Sequence, residues 1–251
     1  LVEGASTYSV YCKSVDGSYS KLDAELVRNY GDYGRADVIG VKAGTYQFKI
    51  VPVDEEGTEM TGQAVESSTF EVKAHDRAGF AHFNYSGVGA YKDDGTLKDN
   101  AKVLYVTSKT AKTVTCPVVT DNKGKVETFT GLQTIIDARQ KGYDTTPLVI
   151  RIIGLIEAND MDHFSSSAEG LQIKGKNANS EMNITLEGVG NDATIRGFGI
   201  LLRNCKSIES ETLRLCSVWM IVSRWIRIIV IAGCICLLYT SPSPRDRTRS
   251  R

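Results

Sequence analysis

The stretch that most limits what this chain can fold into is Asn183–Glu209. Short apolar runs recur there (Ile184–Leu186, Ala193–Ile195, Ile200–Leu202, Ile208), each closed by Gly, Asn or Asp. Such runs are too short for helices, and the residues between them are turn formers. Ile184 follows Asn183 and Ile208 follows Ser207, a recurrence at 24 residues. A period of that size, holding about three short strands and three turns, suggests one coil of a parallel β-helix. A sandwich meander shows the same runs, and periodicity alone leaves both open.

Composition narrows the function classes. Thirty basic residues balance thirty acidic ones, so nothing points to nucleic acid or an acidic membrane surface. High Gly, five Pro and many Thr, Val and Ile favour a β-rich globular protein. The chain opens on Leu with no leader before it, which fits a secreted protein that has lost its signal, or a fragment. Of six cysteines, Cys12, Cys116 and Cys205 stand alone, while Cys216, Cys234 and Cys236 crowd the end. None has zinc spacing, so those in the body of the chain read as buried or incidental thiols.

In the first 74 residues, Ser6–Lys13 alternates apolar and polar. Thr45–Val53 does so more clearly, with Tyr46, Phe48, Ile50 and Pro52 on one face and Gln47, Lys49 and Val51 on the other. Ser68–Ala74 reads as a closing strand. The order Y-x-V-Y, then A-G-T-Y-x-F-x-I-x-P-V, then a Gly-containing loop and a last strand resembles the C, F and G strands of a fibronectin type III domain. The resemblance implies an incomplete accessory module for spacing or partner binding. Tyr30 and Tyr33 are either a sugar-stacking platform or an ordinary loop. His75-Asp76-Arg77 reads as a solvated linker.

Farther on, Val103–Val106, Thr113–Cys116 and Leu148–Ile156 read as strands, with Arg151 the one charge in the last. Asp121–Gly124 reads as a turn, and so does Asp93-Asp94-Gly95. Thr130 is expected to cap a helix whose Leu132, Ile135, Ile136 and Arg139 share a stripe and which Gly142 ends. Asp160, Asp162 and His163 have the chemistry of metal ligands but read better as a polar loop, since calcium needs six to eight oxygens from several segments. Glu187 and Arg196 each follow an apolar run and are candidates for an outward face beside a saccharide groove.

GLQIKGKNANSEMNITLEGVGNDATIRGFGILLRNCKSIE closely resembles the N-terminal coils of pectate lyases, the first family of polysaccharide lyases. The likeness extends upstream through GVGAYKDDGTLKDNAKVLYVT, FTGLQTIIDARQKGYDTTPLVIRIIGLI and MDHF. It implies an all-β chain: a partial fibronectin type III-like β-sandwich (1–74), a linker (75–82), then the N-terminal coils of a right-handed parallel β-helix (83–209) with a capping helix. It also implies a secreted, extracellular or cell-surface monomer that cleaves pectin or polygalacturonate by β-elimination. Calcium acidifies the C5 proton there and an arginine removes it. The matched motifs are scaffold, so no catalytic, cofactor-binding or metal residue is assigned within this chain.

After Glu209 the character changes. Val218–Tyr239 has the length and apolarity of a membrane span, but Arg224 and Arg227 lie inside it and are costly there. Trp219-Met220-Ile221, read from the third base of the Trp codon, spells Asp-Asp. The same offset from Ser210 permits I-R-N-L, which completes the family pattern, followed by an acidic run resembling the family's calcium coil. Cys236–Asp246 resembles the translation of a sequencing-library adaptor. The expectation is a frameshift near Ser210, an artefactual tail at 210–251 with no settled place, no membrane span, calcium ligands out of frame, and an inactive polypeptide. Three alternatives remain: a polygalacturonase-type hydrolase with paired carboxylates, a non-catalytic carbohydrate-binding or adhesion β-helix, or a membrane-anchored protein, which needs the tail to be real.

Overall fold

The computed structural model describes residues 2–76, 86–164, 170–177 and 180–216, together with the backbone of 221–223 and 230–231. Arg77, the rest of the expected linker to residue 82, and nearly all of 217–251 lie outside the described residues. The chain is mostly β, with one α-helix among the described residues. It divides into two compact units, 1–78 with 82–99 and 79–81 with 100–251. Residues 86–99 thus group with the first unit, although the sequence motifs place them with the second.

The first unit is antiparallel. Strand β1 (Thr7–Ser14) pairs with β2 (Ser20–Lys21) and along its whole length with β5 (Gly44–Val53). β3 (Val27–Asn29) and β4 (Gly34–Ala36) form a separate hairpin. β6 (Val65–Glu66) and β7 (Phe70–Val72) both pair with β5. The three strands expected from alternation are β1, β5 and β7, and they are neighbours. Burial along β5 departs from simple alternation: Ile50 is 39% exposed, while Val51 and Val53 on the opposite face are buried. Both faces of this strand end are covered, so period 2 does not reveal which side is inside.

The second unit is built from parallel ladders. β8 (Lys102–Val106) pairs with β11 (Leu148–Glu157), which pairs with β13 (Ser180–Arg196), which pairs with β15 (Cys205–Glu211), all parallel. A second parallel row joins β12 (Gly170–Lys174), β14 (Gly199–Arg203) and the backbone of β17 (Ile221–Ser223). β16 (Arg214–Cys216) and β18 (Val230–Ile231) continue the ladders beside β13 and β15. Ile184 sits opposite Ile208, so the 24-residue recurrence is a register. Leu104, Val106, Leu148, Ile150, Ile152, Ile184, Leu186, Ile200, Leu202 and Ile208 share one core.

Before these rows, β9 (Thr115–Val119) and β10 (Val126–Thr130) form an antiparallel hairpin closed by the Asp121 turn, whose Oδ1 accepts the Lys123 and Lys125 amides at 2.8 and 3.0 Å. Helix α1 (Leu132–Arg139) follows and buries the expected stripe. Its cap differs from the expectation. Thr130 belongs to β10 and the N-cap is Gly131, which offers no side chain. The open amides are met by Asp162: Oδ1 accepts from Gln133 N and Oδ2 from Thr134 N, each at 2.9 Å. Gly131 has φ 95°, and a Cβ there would lie 2.5 Å from Asp162 Oδ2. The position therefore demands glycine for both conformation and space.

The expectation that nothing after Glu209 takes a settled place fails for Ser210–Cys216. β16 pairs with Thr194–Arg196 and Leu213 is buried in the core. Backbone pairing is indifferent to side chains, so an existing ladder templates whatever sequence follows it. Among the described residues no helix is long and apolar enough to cross a membrane.

Candidate functional site

Residues at one register on adjacent parallel strands lie about 4.8 Å apart, so side chains of one face line up in rows across β8, β11, β13 and β15. On the face away from the core, one row reads Tyr105, Arg151, Glu187, Glu211. Arg151 Nε donates to Glu187 Oε1 at 2.7 Å, and its Nη1 donates to Tyr105 Oη at 2.8 Å. Two positions back along the strands, the next row reads Val149, Thr185, Glu209, with Thr185 Oγ1 donating to Glu209 Oε2 at 3.3 Å.

The middle of the first row and the whole of the second are buried, Arg151 being 3% and Glu187 2% exposed, while Tyr105 and Glu211 at the ends of the first row are half-buried. Burial, then the negative charges of Glu209 and Glu187, push the Glu211 carboxyl up to about 8. At neutral pH it retains its proton and stands beside Glu187 as a neutral acid. The cluster ties four strands together and is closed to a polymeric substrate.

A second buried centre lies where α1 meets the ladders. Arg139 Nη1 is 3.2 Å from Asp144 Oδ1, and Nη2 donates to the carbonyls of Met182 (3.0 Å) and Thr146. Asp144 also accepts from Val119 N at 3.0 Å, Thr146 N at 2.9 Å and Lys102 Nζ at 3.2 Å. Burial opposes its ionisation, but the Arg139 charge and the amide donors outweigh burial and hold the carboxyl below its ordinary range. Burial likewise draws the guanidinium down, with Asp144 opposing. Sequence reading found Arg139 as part of a stripe, not as an ion pair. Its partner follows the helix by five residues in a loop whose fold no local pattern specifies.

The residues singled out from sequence separate into distinct roles. Asp162 caps α1. Asp160 caps the short turn of helix at Ala158–Asp160, its Oδ2 accepting Glu157 N at 2.8 Å. His163 lies between Asp162 and Asp137, 3.1 and 3.2 Å from their carboxylates. Asp94 and Gly95 form the expected turn, with Thr96 N donating to Asp94 Oδ1 at 3.0 Å.

Glu187 and Arg196 are not brought together. Glu187 is buried against Arg151, which corrects its placement on an open groove, while Arg196 is exposed and paired with Glu157 at 2.7 Å. Parallel sheets are covered on both faces, so a polar residue after an apolar run is not thereby outside. Cys12, Cys116 and Cys205 are buried free thiols, and burial raises each of them.

Among the described residues no group of three or more His, Cys, Asp or Glu is placed to hold a metal ion. The Glu187, Glu209 and Glu211 carboxyls share their face with the Arg151 guanidinium, which donates to Glu187, and three carboxyl groups on two adjacent strands do not surround an ion. The residues present therefore do not fit calcium, which demands six to eight oxygens.

Within the first unit, Tyr30 and Tyr33 stack at the tip of the β3–β4 hairpin, ring centroids 5.3 Å apart and 11° from parallel. The Arg28 guanidinium lies 4.8 Å from the Tyr30 ring, and Tyr33 is 53% exposed. No protein-family model, curated protein or solved structure matches the chain.

Proposed function

We propose that the second unit is the N-terminal part of a right-handed parallel β-helix of the pectate lyase type, and that the first is a partial fibronectin type III-like accessory module. The parent enzyme is secreted, acts as a monomer, and cleaves polygalacturonate by β-elimination. The observation that carries this reading is the in-register stacking of Asn183-Ile184 under Ser207-Ile208 within a run of parallel strands, at the residues that carry the family motif. The β1–β5–β7 adjacency supports the accessory module, since the C, F and G strands it resembles are neighbours in that order.

In this reading the chain's own residues build scaffold. The reaction needs a base at the sugar C5, and neither buried arginine serves: Arg151 and Arg139 are both closed to substrate and held by carboxylates. Calcium is what the resemblance implies for the whole enzyme. The described residues do not fit it.

The test is formation of unsaturated uronides from polygalacturonate, followed by ultraviolet absorbance, for this chain and for the product of the full-length gene with the coding frame restored beyond codon 209. The chain is expected to release none. The restored version is expected to release them and to lose the activity in chelator. Reducing ends without unsaturation would establish hydrolysis instead.

One observation favours an additional binding role for the first unit. The exposed face of Tyr33, backed by Tyr30 and beside Arg28, suits stacking against a sugar ring. Tyr33→Ala is expected to abolish retardation of the chain in a polygalacturonate-containing native gel. Unchanged retardation would remove the platform.

A further inference from the structure

The second parallel row starts at β12, and a side chain meets its outer edge. In a strand both backbone groups of one residue point to the same side, and the side alternates along the chain. Gly175 N donates across to Arg203 O of β14 at 2.9 Å. Leu171 and Ile173 therefore also face β14, while Gly170, Gln172 and Lys174 face away from it. Among the described residues no strand lies beyond β12 on that side.

Gln133 of α1 fills the central place on the open side. Its Nε2 donates to Gln172 O at 3.0 Å, and its Oε1 accepts from Gln172 N at 2.9 Å. These are the two bonds that one residue of an added antiparallel strand would make there. The Gln133 side chain is wholly buried, and its amide is held the right way round. Nε2 also donates to Asp137 Oδ1 at 2.9 Å, one helical turn on, and a carboxylate only accepts. Asp137 Oδ2 in turn lies 3.2 Å from His163 Nε2. A reversed amide would set its oxygen against both Asp137 and Gln172 O.

An apolar helix face covers a core but leaves backbone groups at a sheet edge unpaired. Leu132, Ile135 and Ile136 join the core and have nothing to offer Gln172. An unpaired edge recruits another strand, and the strand every molecule carries is β12 itself. Two copies related by a two-fold axis at Gln172 would pair β12 antiparallel, Gly170 opposite Lys174, each edge completing the other. We propose that Gln133 is an edge-closing residue: its side chain stands in for one residue of a strand and keeps the β12 edges of two copies from pairing. This role concerns assembly and is independent of any activity of the chain.

The test is sedimentation velocity of the full chain over a concentration series, for the parent, Q133A, Q133E and L132A. Q133A removes both bonds to Gln172 and is expected to lower the dissociation constant of a dimer about tenfold, the factor that roughly one net hydrogen bond supplies. Q133E keeps the size and one acceptor but turns a second oxygen towards Gln172 O and Asp137. It is expected to dimerise at about pH 8 and to return to the parent's behaviour at about pH 5, where a protonated glutamate supplies the missing donor. It carries the test if Q133A does not fold. L132A weakens the packing of α1 but keeps Gln133, and is expected to sediment as the parent does. Amide exchange of residues 170–174 in the dimerising variants should slow as concentration rises, which places the contact at β12. The proposal is overturned if L132A associates as strongly as Q133A, if neither Gln133 variant associates, or if Q133E is indifferent to pH. Association without protection of residues 170–174 overturns it as well.

Discussion

Ser207 donates its hydroxyl to Asn183 Oδ1 at 2.7 Å, on the paired parallel strand and 24 residues earlier, and both residues hold left-handed backbone, φ 59° and 52°. Asn183 in turn donates from Nδ2 to Thr145 O at 2.9 Å. The same left-handed corner thus recurs on the paired strands β13 and β15, and a side-chain hydrogen bond joins the two. This is why a polar residue precedes Ile at both positions.

Asn183→Ala removes both side-chain hydrogen bonds and places a Cβ residue that tolerates left-handed backbone poorly. The expected loss is about 2–3 kcal/mol, from roughly 1 kcal/mol for each net hydrogen bond and about 1 for the conformation. Asn183→Asp, which keeps the short polar branch, loses less. Urea midpoints of the two variants check the order.

Breaking the Arg151–Glu187 pair from one side leaves a buried charge. Arg151→Met is expected to cost about 3–5 kcal/mol, and R151M/E187L to recover most of it, because an apolar pair of similar volume avoids the desolvation penalty. A double-mutant cycle by chemical denaturation reads the coupling. Additive losses would show that the pair is not coupled.

Asp162 gives stability a dependence on acid. Burial opposes its ionisation, yet the Gln133 and Thr134 amides and the Thr134 hydroxyl hold the folded carboxyl below its ordinary value. A depressed folded value means the contribution is present above the unfolded value of 3.8 and is lost as pH falls through the folded value. Asp162→Ala is expected to cost about 1–2 kcal/mol at neutral pH, as loss of a helix cap does. The difference from the parent should shrink below pH 4. Gly131→Ala, strained at φ 95° and against the same carboxylate, destabilises at every pH.

Glu211 acts with the opposite sign. Its folded value is raised from 4.5 to about 8, so the folded state binds the proton more tightly than the unfolded one. Stability falls as pH rises from the unfolded value to the folded one. Melting temperatures measured from pH 5 to pH 8 should decline for the parent and stay flatter for E211Q.

The repeated corner was legible because everything that makes it is local: a turn former, then an apolar residue, at a fixed period. Helix α1 was legible for the same reason, since Leu132, Ile135 and Ile136 fall on one face whatever they pack against. The Asp121 and Asp94 turns close on amides within four residues. The Asp162 cap was not legible, because a glycine at the N-cap erases the usual signal and the replacement carboxylate comes from a loop 28 and 29 residues later. Glu187 was misplaced on an open face because alternation distinguishes two faces only when one of them meets water.

By itself, the sequence determined the β class, the 24-residue step, the apolar stripe of α1 and the turns. Each follows from side-chain type and backbone preference over a few residues. Only the tertiary structure decided that Arg151 meets Glu187 across a separation of 36 and that Asp162 closes α1. Those outcomes depend on which strands become neighbours and in what register. Register is set by the summed burial of whole rows, a quantity that no short window of sequence contains.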